Sequence, residues 1–464
     1  MNRISTGVAI VAWLVAGAEL VGCAHGQRGR YDAQRSALDA AEPLMVAEDE
    51  EGWGEPVRFD TGAPLQRDVL VRAVLERNPD LEAAREAWRV ALAEHPQARS
   101  LEDTMTSYSL APLSIRSDAV RFGQVIRVEQ RFPTPGKFRF AGEVALQQAE
   151  ALRGSYETVR LALALMASTL FDDYYRVTRL LALNDEHRQL IEDIKATAIV
   201  QYEAGRAAQQ DVLQAEVELA HIVHQRVMLA SEQQVIVAQI NGLLHQRPEL
   251  DLPPPPPTIT PPSLQLPGTE GLQRAAVKER PDLAAARSEL RAADSAVELA
   301  KRNYSPAVGL MGEYNSMWAQ TQHRWMAGVS LNLPLQIRSR VAAVEQAEAN
   351  ARRVAAELSS KRDEVRVEVN QARERVLEAQ HVVHLYQERL LPAARAQIDA
   401  AEFGYETGQT DFQALIDAER SVRTLEIQYE EALASLGQRI AELDRARGHL
   451  PGISVRDGGS DDQQ

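Results

Sequence analysis

The segment Tyr202–Glu216 recurs as Tyr405–Glu419, without a gap and at an offset of 203 residues. Each copy opens with a tyrosine three residues before a glycine (Tyr202 and Gly205; Tyr405 and Gly408) and closes on Ala-Glu (Ala215 and Glu216; Ala418 and Glu419). A glycine between two long helical patterns suits a tight helix-to-helix turn, because it adopts the left-handed conformation that other residues resist. Each copy therefore predicts the tip of a helical hairpin. A second repeat sets Asn78, Pro79, Asp80 and Leu81 against Arg280, Pro281, Asp282 and Leu283 at almost the same spacing. The chain reads as two tandem halves, 65–247 and 269–447, joined by a proline-rich linker over 248–268 that contains Pro253 to Pro257.

The helical patterns are long. No proline occurs between Pro135 and Pro248, and helix is expected from about Phe138 to the first tip (202–208), returning from Ala208 to Leu244. Leu163, Met166, Leu170, Tyr174, Val177 and Leu181 keep helical spacing, as do Val212, Ala215, Leu219 and Ile222. In the second half, Val365, Val369, Ala372, Val376, Ala379, Val383, Tyr386 and Leu390 alternate steps of four and three. This heptad seam implies a packed neighbour. That helix is expected over Arg338–Phe403 with a bend at Pro392, followed by the second tip (405–410) and a return over Thr410–Arg447. With aromatics at only 5%, the composition suits long helices in coiled-coil contact better than a thick globular core.

Two stretches change period. Between 104 and 132, Ile126, Val128 and Phe132 alternate with Arg127, Glu129 and Arg131, which is strand periodicity. Thr104–Leu110 is a weaker strand, limited by Pro112. Between 306 and 333, Pro306–Asn315 precedes the clearest strand, Arg324–Leu333. Its Trp325, Ala327, Val329, Leu331 and Leu333 face one way; Met326, Gly328, Ser330 and Asn332 face the other. Such alternation over about 9–11 residues fits a barrel strand in a membrane, and equally a half-buried hairpin. No other apolar run approaches the ~20 residues of a spanning helix. Four strands are too few to close a barrel, so closure demands several chains. The fold class is mainly α with a small β part.

The N-terminus has a signal-peptide layout: Arg3, then an apolar run from Val8 to Ala18, with Glu19 close behind it. The chain's one cysteine, Cys23, closes Leu20-Val21-Gly22-Cys23. This tetrapeptide resembles a bacterial lipobox. The resemblance implies removal of residues 1–22 and acylation of Cys23, with palmitate among the attached lipids. Ala24 in the next position implies outer-membrane sorting. Residues 23–64 read as an extended, acidic lead-in and 448–464 as a disordered tail.

A net charge of −15 argues against nucleic acid, whose binding is dominated by cationic contacts to phosphate. There is no phosphate loop, zinc spacing or catalytic triad, and an enzyme has no constellation behind it. His221 with His224 and His381 with His384 stand as pairs on helix faces. Placed by their distances from the tips, the pairs differ by about 12 Å in height, and they read as solvated or packed histidines. Asp172 with Asp173 and Glu430 with Glu431 read as solvated face charges.

Taken in order, the lipobox, the tandem halves, the two-strand insert after each Pro-Asp-Leu helix, the Phe132-to-Lys137 junction, the run Leu390-Leu391-Pro392-Ala393 and the two tips resemble TolC-like outer-membrane factors over roughly 65–447. The resemblance implies a homotrimer: a 12-stranded outer-membrane β-barrel continuing into a periplasmic α-helical tunnel. It further implies a passive efflux duct, supplied by a periplasmic adaptor and a proton-driven inner-membrane pump, with no cofactor beyond the lipid on Cys23. By the same resemblance, Gly205, Arg206, Ala207, Gly408, Gln409 and Thr410 meet the adaptor, and Tyr405 linked to Asp211 holds the entrance closed. Thr410 stands where a basic residue helps that lock. Of two aspartate positions at the constriction, one is Asp417 and the other is Ala414, leaving a thinner acidic ring. A type I protein-secretion duct and a non-conducting coiled-coil envelope lipoprotein are the alternatives.

Overall fold

The structure is a computed structural model that describes residues 25–41, 49, 52–60, 62–116, 122–134, 136–262 and 264–453. The leader, Cys23, part of the acidic stretch Glu48–Glu51 and most of the C-terminal tail lie outside these residues.

The helices are α1 (His25–Ala40), α2 (Arg67–Arg77), α3 (Pro79–Ala98), α4 (Lys137–Glu203), α5 (Gln209–Leu243), α6 (Thr269–Glu279), α7 (Pro281–Arg302), α8 (Ile337–Leu385), α9 (Leu391–Glu406) and α10 (Phe412–Arg447). The strands are β1 (Met105–Ala111), β2 (Gly123–Phe132), β3 (Ala307–Asn315) and β4 (Trp325–Asn332). The expected two strands per half are present. Pro112 does not shorten β1, because it opens a 3-10 turn just beyond the ladder. The chain divides into two compact units.

The first unit contains Arg85–Gly154 and Ala284–Ser360 together with α1. All four strands form one antiparallel sheet in the order β1-β2-β3-β4. The central pair, β2 with β3, joins strands from the two halves and pairs Ile126 with Tyr314 and Arg127 with Glu313. Beside the sheet elements, Trp88, Ala91 and Leu92 of α3 pack with Leu146 and Ala149 of α4 and with Leu38 of α1.

Helix α1 corrects the expectation of an extended lead-in. Its apolar content is thin, so the sequence pattern gives little helical signal; polar bonds to the rest of the unit hold it in place. Gln27 Nε2 donates to the Arg139 carbonyl at 3.0 Å and to Glu143 at 2.9 Å. Arg30 Nη1 donates to Glu143 at 2.9 Å, and Tyr31 stacks on His95 at 5.0 Å. Bonds from Arg30, Gln147 and Gln27 overcome the effect of burial and hold the Glu143 carboxyl at about 2.

The second unit contains 155–283 and Lys361–Gln464 as far as described, with the segment leading into α3. Its core gathers Leu70, Val71 and Val74 of α2, Leu163, Phe171, Tyr174 and Val177 of α4, and Ile236, Val237 and Ile240 of α5. Met166 is the exception to the predicted stripe, being half exposed. The heptad seam of α8 is buried at Val365, Val369, Ala372, Val376 and Val383. The prolines behave as helix ends allow. Pro392 sits in the first turn of α9, where a missing N–H is tolerated, and a π-turn over Tyr386–Leu390 precedes it. Pro96 lies within the last turn of α3. The proline-rich segment is docked: the Leu65 N–H donates to the Pro254 carbonyl at 2.9 Å.

In each of the two pairs read as solvated charges, one carboxylate is buried. Asp172 is 1% exposed and ion-paired with Arg67. Glu430 is buried and accepts from Tyr175 Oη at 3.1 Å and Arg179 Nε at 3.0 Å. Asp173 is half-buried and bonded to Gln438, and Glu431 stays exposed. Periodicity places a carboxylate on a helix face, but it does not reveal which other helix covers that face.

Candidate functional site: hairpin tips and a two-faced sheet

The two tips have the same backbone. In the first, the Gly205 N–H donates to the Tyr202 carbonyl at 2.9 Å, and those of Arg206 and Ala207 donate to the Gln201 carbonyl at 2.8 and 3.2 Å. In the second, Gly408 donates to Tyr405 at 3.1 Å, and Gln409 and Thr410 donate to Gly404 at 2.7 and 3.1 Å. This is the Schellman end of a helix, with its glycine left-handed. The φ values are +71° at Gly205 and +74° at Gly408. The repeat read from sequence is thus a repeat of hydrogen bonds.

Beyond the glycines the tips differ. Thr410 folds back on its own hairpin: its hydroxyl donates to the Ala401 carbonyl at 3.2 Å, and its side chain covers Gly404, where a Cβ would meet it at 2.7 Å. Among the described residues it makes no hydrogen bond to the other hairpin. Asp411 caps α10 by accepting from the Ala414 N–H at 2.8 Å.

The two hairpins pack on each other near the tips. Ile191, Ile194 and Ala198 of α4 and Ala215 and Ile222 of α5 meet Tyr405, Phe412, Leu415 and Ile416. Tyr405 lies edge-on to Phe412 at 5.5 Å. Its hydroxyl is buried and lacks a hydrogen-bond partner among the described residues. Burial, and then the charge of Asp211, raise its pKa. Asp211 thus acts on Tyr405 through its charge, and no hydrogen bond joins them among the described residues. Burial and the neighbouring Asp411 carboxylate push the Asp211 pKa up, against the Ala208 backbone contact. Asp417 is exposed, accepts from Gln413 Nε2 at 2.9 Å and lies 3.4 Å from Arg420.

A charge network that the sequence reading missed stands above the tips. His187 of α4 has Nδ1 3.2 Å from Glu419 and Nε2 3.0 Å from Glu426, both on α10. Glu426 also pairs with Arg395 of α9 at 2.9 Å. Glu218 of α5 is buried and pairs with Arg420 and Arg423 of α10. Burial alone would lower the His187 pKa, but the two carboxylates hold it at about 9. Its sequence signal was slight: Glu218 and Glu419 are charged residues within the apolar spacing of their helices.

The sheet has two chemically distinct faces. In register, Tyr108, Ile126, Val128, Val308, Leu310, Tyr314, Trp325, Val329 and Leu331 share one face. These nine are apolar or aromatic, and eight are among the large exposed hydrophobics; Thr106, Gln124 and Gln130 lie among them on the same face. The opposite face carries Ser107, Ser109, Arg127, Glu129, Arg131 and Glu313, with Arg127 Nη2 2.7 Å from Glu313. The end strands β1 and β4 each have one unpaired edge. No described helix is long and apolar enough to cross a membrane.

Tandem helical hairpins with a four-stranded antiparallel insert form a fold that this chain shares with solved outer-membrane channels. The outer-membrane channel OprN shares it over 90% of this chain and 96% of that one, with TM-score 0.69 at 22% identity. VceC from Vibrio cholerae matches over 82% and 96%, with TM-score 0.68 at 18% identity. The open-state MtrE channel of Neisseria gonorrhoeae matches over 88% and 96%, with TM-score 0.65 at 16% identity. No curated protein sequence matches the chain. Residues 272–449 match the family model described as outer membrane efflux protein. That match covers the second half of the chain, and the motifs of both halves resemble those of TolC-like outer-membrane factors.

Proposed function

We propose that this protein is the outer-membrane exit duct of an efflux system. The observation that carries this reading is the two-faced sheet. An exposed apolar face continues across strands from both halves, with charged and hydroxyl side chains behind it, as a barrel between lipid and a water-filled lumen requires. Its two open edges cannot remain unpaired in lipid. Edge pairing between copies removes them, and three copies supply twelve strands.

The duct is a homotrimer lodged in the outer membrane and extending into the periplasm, anchored by lipid on Cys23. It is a passive conduit rather than an enzyme. A periplasmic adaptor meets Gly205, Arg206, Ala207, Gly408, Gln409 and Thr410, and a proton-driven inner-membrane pump supplies the energy. Tyr405, Asp211 and Asp417 line the entrance.

The test is single-channel recording of the purified protein in planar bilayers. Discrete steps of fixed conductance are expected. A protein that inserts without conducting contradicts the duct and leaves the envelope-lipoprotein alternative.

A further inference from the structure

The two helices that leave the sheet begin with charge of the unfavourable sign. Helices α2, α3, α5, α6 and α7 each place an acidic residue in the first turn, where the positive end of the helix dipole favours it. Helices α4 and α8, which follow β2 and β4, have no acidic residue there. Lys137 and Arg139 stand in the first turn of α4, and Arg338 and Arg340 in that of α8. A cation at a helix N-terminus meets the positive end of the dipole, and a bound anion relieves both.

The two junctions meet at a cavity of about 100 Å³ beyond the end of the ladder, lined among others by Lys137, Arg302, Ser305, Asn332 and Arg340. Its described lining has three cationic side chains and no carboxylate. Arg340 donates through Nη1 to the Asn303 carbonyl, while its buried Nε has no hydrogen-bond partner among the described residues. Arg302 lies over the Phe140 ring at 5.7 Å and against Gly136, where a Cβ would come 3.6 Å from its Nε. Glu298, which feels the charge of Arg302, is already paired with Lys301 at 2.9 Å. The cavity is far below the roughly 300–1,000 Å³ of a drug-sized ligand site. It suits a small compact anion. Two guanidinium groups and an ammonium converging from α4, α7 and α8 suit a tetrahedral oxyanion better than a planar carboxylate.

The same end of the sheet carries exposed apolar groups. Val308 pairs with Leu331 on the apolar face, and Leu333, Leu335 and Ile337 follow in the chain, all exposed, Leu335 by 83%. In the duct reading, this is where acyl chains end and headgroups begin. We infer that Lys137, Arg302 and Arg340 bind a phosphate group at this junction, carried there by a lipid headgroup. Ser305 and Asn332 supply neutral donors at its wall. The bound anion compensates the two inverted helix ends and pins α4 to α7 and α8 at the end of the sheet. The phosphate chemistry rests on the geometry of the cavity; the lipid as its carrier rests on the duct reading.

Native mass spectrometry of the detergent-extracted protein tests the site, with three probes: dioleoylphosphatidylglycerol, dioleoylglycerol, which has the same chains without phosphate, and inorganic phosphate. The wild type is expected to retain one phosphatidylglycerol per protomer and to release dioleoylglycerol. Lys137→Gln and Arg302→Gln replace exposed side chains, and each should weaken retention roughly tenfold. Arg28→Gln, at an exposed cation of α1 that is not part of the cavity lining, should retain the lipid as the wild type does. Inorganic phosphate that binds alone, without phosphatidylglycerol, and is lost in the same two variants upholds the phosphate site and overturns the lipid as its carrier. Equal retention of dioleoylglycerol, an equal loss in Arg28→Gln, or unchanged retention in the two cavity variants overturns the site. Bilayer conductance of the same samples separates the two readings. A conducting protein that retains neither phosphate probe overturns the site and leaves the duct. A protein that retains phosphate and never conducts overturns the duct and leaves the site.

Discussion

The carboxylate of Asp172 occupies the space that a side chain at Gly437 would need: a Cβ there would lie 2.6 Å from Oδ2 and 2.7 Å from Oδ1. Arg67 holds that carboxylate from its other side. Gly437 lies in the interior of α10, toward its C-terminal end, where glycine is disfavoured by about 1 kcal/mol relative to alanine. Gly437→Ala should nevertheless destabilise the protein by about 1–3 kcal/mol through overpacking. Gly242→Ala, at a helical position with nothing within 4 Å of the added Cβ, should be neutral or slightly stabilising. Thermal unfolding of the two variants side by side checks the contrast.

Asp172 also predicts a pH dependence. Burial pushes its pKa up to about 7, against the pull of Arg67. A carboxyl whose pKa is raised on folding contributes stability when protonated, below about 4, and loses it as pH rises to about 7. The wild type should therefore lose stability relative to Asp172→Asn across that interval, by on the order of 1–4 kcal/mol. Melting temperatures of both proteins at pH 4, 6 and 8 measure the difference. A constant gap would contradict the expectation.

His187 has the opposite charge type. Its folded pKa of about 9 lies above the ordinary value near 6.5, so the stability it contributes is complete below about 6.5 and is lost as pH rises through about 9. The advantage of the wild type over His187→Gln should shrink steadily between those limits. Denaturation midpoints at pH 6, 8 and 10 follow it.

The left-handed glycines can be tested by a small change. Gly205→Ala and Gly408→Ala meet no steric neighbour within 4 Å, so any cost comes from the backbone alone and should be about 1 kcal/mol each. Amide hydrogen exchange should quicken only in the altered tip. A cost spread over both units would show that these turns do more than reverse the chain.

The tips and strands were legible in the sequence for a shared reason: each depends on a local rule. A left-handed turn demands glycine at Gly205 and Gly408, and a sheet between two media demands the alternation seen from Trp325 to Leu333. Helix lengths followed from the scarcity of proline. What the sequence concealed depends on tertiary neighbours. Helix α1 docks through Gln27, Arg30 and Gln34, residues that look at home in a solvated segment. Asp172, Glu430 and Glu419 look like face charges until Arg67, Arg179 and His187 arrive from other helices. At the tips, Tyr405 feels the charge of Asp211 but its hydroxyl lacks a hydrogen-bond partner among the described residues, Thr410 turns back on its own hairpin, and the charged ties lie higher, at Arg420 and His187.

The lipid-facing reading of the sheet predicts a position effect. Val329→Arg, on the exposed apolar face, should lower the amount of assembled protein in outer membranes, since an arginine near mid-membrane costs about 2–4 kcal/mol. Ser107→Arg, on the polar face, should assemble nearly as well as the wild type. Equal yields would remove the distinction between the faces.

Imaging the detergent-extracted protein by electron microscopy tests the central claim most directly. The duct account predicts a three-fold tube with a detergent belt around one end and a length on the order of 130 Å, from ~90–100 Å of helix and a ~30 Å membrane layer. A single thin rod, or a monomer without a belt, would contradict it.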